Sequence, residues 1–164
     1  MYLHVQIAAG LVYAGLAMSL NLPESVQMAV AMAYTAQGAG TVNGFDRELM
    51  LALVNSERAA RSVSPVAYHD ALMQLAQDHA EYQATNRVVT HADTSGPIGD
   101  RLTRLGFRWT MVAENVGAGA PNEDAIMAAW AGSSRHLANI LHPAVKYMGI
   151  GVSNGFWVQD FAAP

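Results

Sequence analysis

Hydrophobic and polar positions follow one pattern up to about residue 46 and another beyond it. Residues 5–20 and 26–36 form two nearly continuous apolar blocks, separated by the break Asn21-Leu22-Pro23-Glu24. A helix that spans a membrane needs about 20 uninterrupted apolar residues, and neither block reaches that length. Length and small-residue content favour a secretory signal over residues 1–36, although the basic start of such a signal is missing. A membrane anchor and a helix buried against a partner are the alternatives.

The pattern becomes helical after residue 46, behind a short Gly-rich linker over residues 37–45. Asp46 precedes a run in which Leu49 and Leu53 recur at helical spacing, which predicts a helix with Asp46 as its N-cap. Asp70 opens a second predicted helix by the same reasoning. The apolar face of this second helix is expected to hold Leu72, Leu75, Ala76, His79 and Tyr82.

Strand patterns appear in the second half of the chain. Val112–Val116 predicts a short strand, and apolar positions alternate over residues 148–152. Asn154-Gly155 separates this run from a β-rich run over residues 156–161, and that dipeptide is a strong hairpin signal. The order of elements predicts a mixed α/β (α+β) domain over residues 46–162, in which helices cover an antiparallel sheet.

Composition excludes several classes of function. The chain of 164 residues has a net charge of −4 and no basic run, which argues against binding nucleic acid or anionic membranes through charge. It has no cysteine, which excludes disulfides, thiolate metal sites and a cysteine nucleophile. The sequence contains none of the common serine-hydrolase, zinc-protease, phosphate-loop or dinucleotide motifs.

The chain has six histidines, and they are its main candidates for metal ligands or catalytic groups. Three residues stand out: His91 in a turn-rich loop, Glu114 in a predicted strand and His136 in a predicted turn. Two imidazoles and a carboxylate can form a three-ligand zinc site with one position open to water. Their spacing does not prove convergence, and the alternative is that each histidine is a hydrogen-bonded structural side chain. His79 is expected to be a core histidine bonded to a carbonyl.

Four segments, taken together and in this order, resemble a known family: Leu49–Arg58, Val112–Val116, Trp130–Leu141 and Gly149–Phe161. The family is the CAP superfamily of cysteine-rich secretory proteins, antigen 5 and pathogenesis-related 1 proteins, also called the SCP domain. The chain is most similar to its compact, cysteine-free microbial members. The resemblance implies a three-layer α-β-α sandwich with a central antiparallel sheet, and a secreted, extracellular protein.

The resemblance also implies a central cleft. His91, Glu114 and His136 match the family's two histidines and one of its two acids. The second acid would fall near Ser133, where this chain has no carboxylate. The three matching residues are therefore the expected cleft and the expected ligands of zinc or another divalent cation.

Two functions are compatible with this resemblance. The first is a secreted, monomeric binding module whose cleft holds a metal ion or polar ligand, with an apolar groove for a sterol, fatty acid or other small apolar ligand. The second is a metal-assisted or Ser-dependent hydrolase that uses the same cleft, with Ser133 or Ser134 beside His136. The module is favoured because sequence neighbours on one turn rarely have the geometry of a nucleophile and its base. An uncleaved N-terminal segment would contact the membrane.

Overall fold

The computed structural model describes residues 41–42 and 45–164. The predicted signal segment and most of the predicted linker lie outside these residues, so the proposed domain boundaries stay predictions. The described elements are β1 (Thr41–Val42), β2 (Phe45–Asp46), α1 (Arg47–Ala59), β3 (Ala67–Tyr68), α2 (Asp70–Asn86), α3 (Ile98–Arg104), β4 (Met111–Ala118), α4 (Glu123–Ala131), α5 (Ser134–Ile140), β5 (Tyr147–Ser153) and β6 (Phe156–Ala163). Among these helices, none is both long and apolar enough to cross a membrane.

The central sheet has four strands in the order β3-β5-β6-β4. The pairs β4–β6 and β5–β6 are antiparallel, as predicted, whereas β3 runs parallel to β5. A parallel pair requires a long crossover connection, and here the chain from β3 to β5 passes through four helices and β4. The sheet is therefore mixed, with antiparallel pairing among its three longer strands.

Helices cover both faces of this sheet. On one face α2 lies directly on β5, because Gly149 and Gly151 carry no side chain: a Cβ on either glycine would overlap the backbone of α2. On the other face, the main hydrophobic core joins α1, α4 and α5 to the sheet through residues such as Met50, Trp130 and Phe161. The predicted three-layer α-β-α sandwich is confirmed.

The closing hairpin turns where the sequence predicted. Asn154 and Gly155 have φ angles of 47° and 80°, the left-handed conformation that a two-residue hairpin turn requires. Met148 and Ile150 are fully buried in the main core, and Val152 packs against it. The alternating apolar side chains of β5 therefore face the layer of α1, α4 and α5.

Two local predictions need correction. Asp46 caps α1 as predicted, accepting N–H bonds from Glu48 and Leu49, but the cap of α2 is His69 rather than Asp70. His69 Nδ1 accepts a hydrogen bond from the N–H of Ala71 at 3.2 Å. The N-cap acceptor is therefore an imidazole and not the predicted carboxylate.

The predicted turn around His136 is also wrong, since this residue lies in the first turns of α5. Ser133 is extended, with φ −105° and ψ 119°, and it separates α5 from α4. Its hydroxyl makes no capping bond to the start of α5.

Candidate functional site

Strand β4 places Glu114 on the face of the sheet that α2 covers, where the residue is only 7% exposed. Its Oε1 lies 2.8 Å from Nδ1 of His91, whose side chain is 63% exposed. A carboxylate can only accept, so the imidazole donates from Nδ1 and keeps Nε2 free as an acceptor. The structure thus joins a buried acid to an exposed imidazole with a defined tautomer.

The loop that carries His91 is fixed on both sides by His79 of α2. Nε2 of His79 lies 2.8 Å from the Thr90 carbonyl oxygen, and Nδ1 lies 2.9 Å from Oδ2 of Asp93. His79 is fully buried, so the prediction of a core histidine bonded to a carbonyl is confirmed. Its second bond, to Asp93, was not foreseen.

Asp93 is held in its ionised form by this environment. Burial alone raises the pKa of its carboxyl, but hydrogen bonds from Ser95 and His79 and the charge of Arg101 outweigh burial and bring the pKa to about 2. Both the backbone N–H and the hydroxyl of Ser95 donate to its Oδ1, at 2.8 and 2.6 Å. The loop therefore carries a stable negative charge two residues after His91.

Arg101 of α3 connects the loop to the strand. One of its terminal nitrogens lies 3.5 Å from Oδ2 of Asp93, and the other lies 3.5 Å from Oε2 of Glu114. The guanidinium side chain is only 5% exposed. Nothing in the sequence marked Arg101 as part of the site, because α3 brings it there only once it packs on the sheet.

Asp160 is the second acid beside Glu114, and sequence analysis did not find it. The two residues are direct cross-strand neighbours in the β4–β6 pair. Burial raises the pKa of Asp160 well above its usual value, and the neighbouring Glu114 raises it further. The charge of Arg101 acts in the opposite direction. A charged residue inside the β-rich run 156–161 was the available signal.

His136 reaches the same edge of the sheet from α5. Asn115 of β4 donates to the His136 carbonyl at 3.2 Å, and Asn139 of α5 donates to the Glu114 carbonyl at 3.1 Å. Burial lowers the pKa of His136, and its electrostatic interactions with His91 and Arg135 lower it further. Its Nδ1 is buried, and no hydrogen-bond partner for it lies within residues 41–42 and 45–164. The structure thus brings His91, Glu114 and His136 to one edge of β4.

These residues do not form three ligands around a common point. In the part of the chain that the structure describes, no group of three His, Asp or Glu side chains is arranged to hold a metal ion. Glu114 is engaged by His91 and by Arg101. Glu114 therefore orients His91 from behind, as carboxylates commonly do for histidines at metal centres.

The two serines near His136 have no geometry of a nucleophile. Among residues 45–164, no hydrogen bond joins the hydroxyl of Ser133 or Ser134 to the His136 ring, whose Nδ1 is unpartnered. A serine nucleophile needs such a bond to an oriented base. The described geometry therefore favours binding over Ser-dependent hydrolysis.

Comparison with known proteins gives a match to one family model and to a relative of similar sequence. The family model of the cysteine-rich secretory protein family, CAP, matches residues 51–161. The uncharacterized protein YkwD of Bacillus subtilis (strain 168) is 24% identical over 130 residues, which cover 77% of this chain and 50% of that protein. The chain thus spans half the length of this curated relative.

Solved structures share the fold. An extracellular protein of Bacillus anthracis that contains an SCP domain matches with a TM-score of 0.68 and 24% identity, over 78% of this chain and 45% of that one. An outer surface protein of Borrelia burgdorferi matches with a TM-score of 0.65 and 16% identity, over 71% and 90%. A cysteine-rich secretory protein of Staphylococcus aureus matches with a TM-score of 0.61 and 20% identity, over 70% and 37%.

Proposed function

Because the chain belongs to the CAP family of cysteine-rich secretory proteins, we propose that it is an extracellular binding module whose cleft is formed by His91, Glu114 and His136. The observation that carries the proposal is the bond between buried Glu114 and exposed His91, which fixes an imidazole with a free Nε2 at the surface. The location is supported by three fold neighbours, which are described as extracellular, outer surface and secretory proteins.

The ligand that this cleft suits is a divalent cation such as zinc, taken by the two imidazoles. Neutral imidazole is a common zinc ligand, and the lowered pKa of His136 keeps its ring neutral to lower pH. Glu114 would hold the His91 tautomer rather than bind the ion directly. When bound, the ion would supply a Lewis acid for a polar group of a further ligand. Because only two protein donors are available, the affinity should be modest.

Calorimetric titration of the full chain with zinc tests this proposal. At pH 7.5 we expect His136→Ala to weaken binding about tenfold or more, because one of two donors is lost. His142→Ala is the matched control, since His142 is a half-buried histidine whose Nδ1 accepts the Ala144 N–H in a turn. Binding to wild type should weaken as the pH falls from about 7.5 to about 5.5, because protons compete for imidazole. Equal affinities in the two variants, or no binding at pH 7.5, would remove the metal role.

The hydrolase alternative keeps one point in its favour, the pair of His91 and Glu114, because a carboxylate-oriented imidazole can act as a general base. A screen of generic peptide and ester substrates, with and without added zinc, separates the two functions. We expect the turnover of the wild-type protein to be no higher than that of the His91→Ala variant. Turnover that His91→Ala abolishes would replace the binding module with a hydrolase.

Binding of a sterol, fatty acid or other small apolar ligand is a separate proposal that rests on the family resemblance. Its test is titration with a fluorescent fatty acid and a fluorescent sterol, followed by competition with the unlabelled lipids. Saturable binding that unlabelled lipid reverses would support it. Binding that His136→Ala leaves unchanged would locate the lipid outside the cleft.

A further inference from the structure

Two buried basic side chains each contact both of the acids that flank His91. Asp93 follows His91 in the loop, and Glu114 is the partner of His91 on β4. His79 lies 2.9 Å from Oδ2 of Asp93 and 3.7 Å from Oε2 of Glu114. Arg101 lies 3.5 Å from each of the same two oxygens. The four side chains therefore close a ring in which bases and acids alternate.

The ring is shielded from water. The side chains of His79 and Arg101 are 0% and 5% exposed, and those of Asp93 and Glu114 are 7% and 4% exposed. Charged groups buried to this extent are costly unless they are paired, and removing one partner leaves the others uncompensated. The ring also draws on four different segments: α2, the loop after it, α3 and β4. Its members are thus held by tertiary contacts rather than by any one element.

The two carboxylate oxygens of Glu114 have different partners. Oε2 faces Arg101 and His79, while Oε1 accepts the bond from His91. Holding Oε2 fixes the plane of the carboxylate, and this fixes the direction in which Oε1 meets the imidazole. On the loop side, the same two bases hold Asp93, and His79 also holds the Thr90 carbonyl. Both ends of the contact between His91 and Glu114 are therefore set by the same pair of bases.

We propose that His79 and Arg101 are positioning residues of the cleft, which join the loop at Asp93 to the strand at Glu114 and so hold His91 in its Nδ1–H form with Nε2 available to a ligand. Neither base touches the ligand. The identity of that ligand rests on the proposed function above, whereas the tautomer of His91 does not depend on it.

The alternative role for these bases is packing alone, and nitrogen NMR of the His91 ring distinguishes the two roles. In metal-free wild type at about pH 8, we expect the signals of an imidazole that carries its proton on Nδ1. In Arg101→Met, which keeps most of the side-chain volume but loses the charge, we expect the mixture of tautomers found in a solvated histidine. Arg101→Lys should restore part of the wild-type signal. A ring signature in folded Arg101→Met that equals wild type would overturn the proposal.

Two further variants complete the design. Arg108→Met is the matched control, because Arg108 is an exposed arginine in the segment after α3 and its loss should leave His91 unchanged. Asp93→Asn removes the charge on the loop with little change of shape, and it should loosen the His91 tautomer even if Arg101→Met fails to fold. Wild-type signals in folded Asp93→Asn would count against the proposal.

Zinc titration of the same proteins separates this inference from the proposed function. Loss of a residue that orients a metal ligand typically costs about 10- to 100-fold in metal affinity, and we expect a loss of this size in Arg101→Met. If wild type binds no zinc but the tautomer changes as expected, the positioning role stands and the metal role falls. If zinc binds wild type and Arg101→Met equally, the positioning role falls and the metal role stands.

Discussion

At the scale of single residues, Asp160 is an acid that the fold buries completely. Its two oxygens are buried, and among the described residues no N–H or hydroxyl group donates to either of them. An ionised Asp160 would therefore be buried without a hydrogen-bond donor among these residues. Two buried carboxylates at directly opposed positions of paired strands cannot both be ionised without a large cost. The protonated, neutral form of Asp160 is thus the favoured one.

This state has a consequence for stability. The folded protein holds the Asp160 proton more tightly than the unfolded chain, whose Asp pKa is about 3.9, so stability should decline as the pH rises from about 4 through the raised pKa of Asp160. Asp160→Asn keeps a neutral donor at this position. We expect the variant to gain about 1 kcal/mol or more over wild type between pH 4 and pH 7, as measured by urea unfolding.

The matched control is Asp78→Asn, because Asp78 is an exposed residue of α2 whose contact is with Gln74 on the same helix. Its pH profile should follow that of wild type within about 0.5 kcal/mol. If the free energy of unfolding of Asp160→Asn changed with pH in the same way as that of wild type, Asp160 would have to be ionised in the native protein.

At the scale of elements, the close approach of α2 to β5 decides how the sheet is covered. Gly149 and Gly151 are successive positions on one face of β5, and α2 lies against them with its backbone at Leu72 and Ala76. No side chain fits between the two elements at these positions. The same contact sets the height of α2 above the sheet, and thereby the position of His79 relative to Glu114.

Gly149→Ala should therefore be strongly destabilising, since its methyl group would overlap the Leu72 carbonyl and force α2 away from the sheet. Overpacking of this kind costs about 1–3 kcal/mol and more where backbone has to move, so we expect a loss of about 3 kcal/mol in urea unfolding. Gly132→Ala is the control: its φ of −74° suits alanine, and the nearest atom to a Cβ is the Ala128 carbonyl at 3.2 Å.

We expect Gly132→Ala to stay within about 1 kcal/mol of wild type. A Gly149→Ala protein as stable as Gly132→Ala would mean that α2 can shift without cost. In that case the position of His79 would also be adjustable, and the ring of bases and acids around it would not depend on helix packing.

At the scale of the whole molecule, the buried apolar residues among those described run from Phe45 to Ala163, and the compact unit that contains them is Val42–Pro164. The N-terminal residues 1–36 are largely apolar in sequence and precede the Gly-rich linker of residues 37–45. Deleting residues 1–40 should leave a monomeric, soluble protein that unfolds in one cooperative thermal transition, because the helices and strands that bury the core remain. Calorimetry and size-exclusion chromatography measure both properties.

The control for this deletion is the full chain purified in the same way. Aggregation of the truncated protein, or loss of its thermal transition, would show that the segment 26–36 packs into the domain. Retention of the transition would support the boundary predicted at residue 46 and the interpretation of residues 1–36 as a removable signal.

The sequence by itself determined what depends on a few neighbouring residues. Helical spacing after Asp46 predicted α1 and its cap, and Asn154-Gly155 predicted the hairpin because that turn needs two positive φ angles. The family resemblance supplied the layered fold, and it named His91, Glu114 and His136 as the cleft.

Only the tertiary structure decided which charges meet. Asp160 faces Glu114 because of the register of β6 against β4, and Arg101 reaches that carboxylate because α3 packs over the same face. The parallel pairing of β3 and the cap formed by His69 were also beyond local patterns. Spacing and turn preferences act over a few residues, whereas strand register and helix packing bring distant side chains together. The ionisation state of a buried group follows from those distant partners.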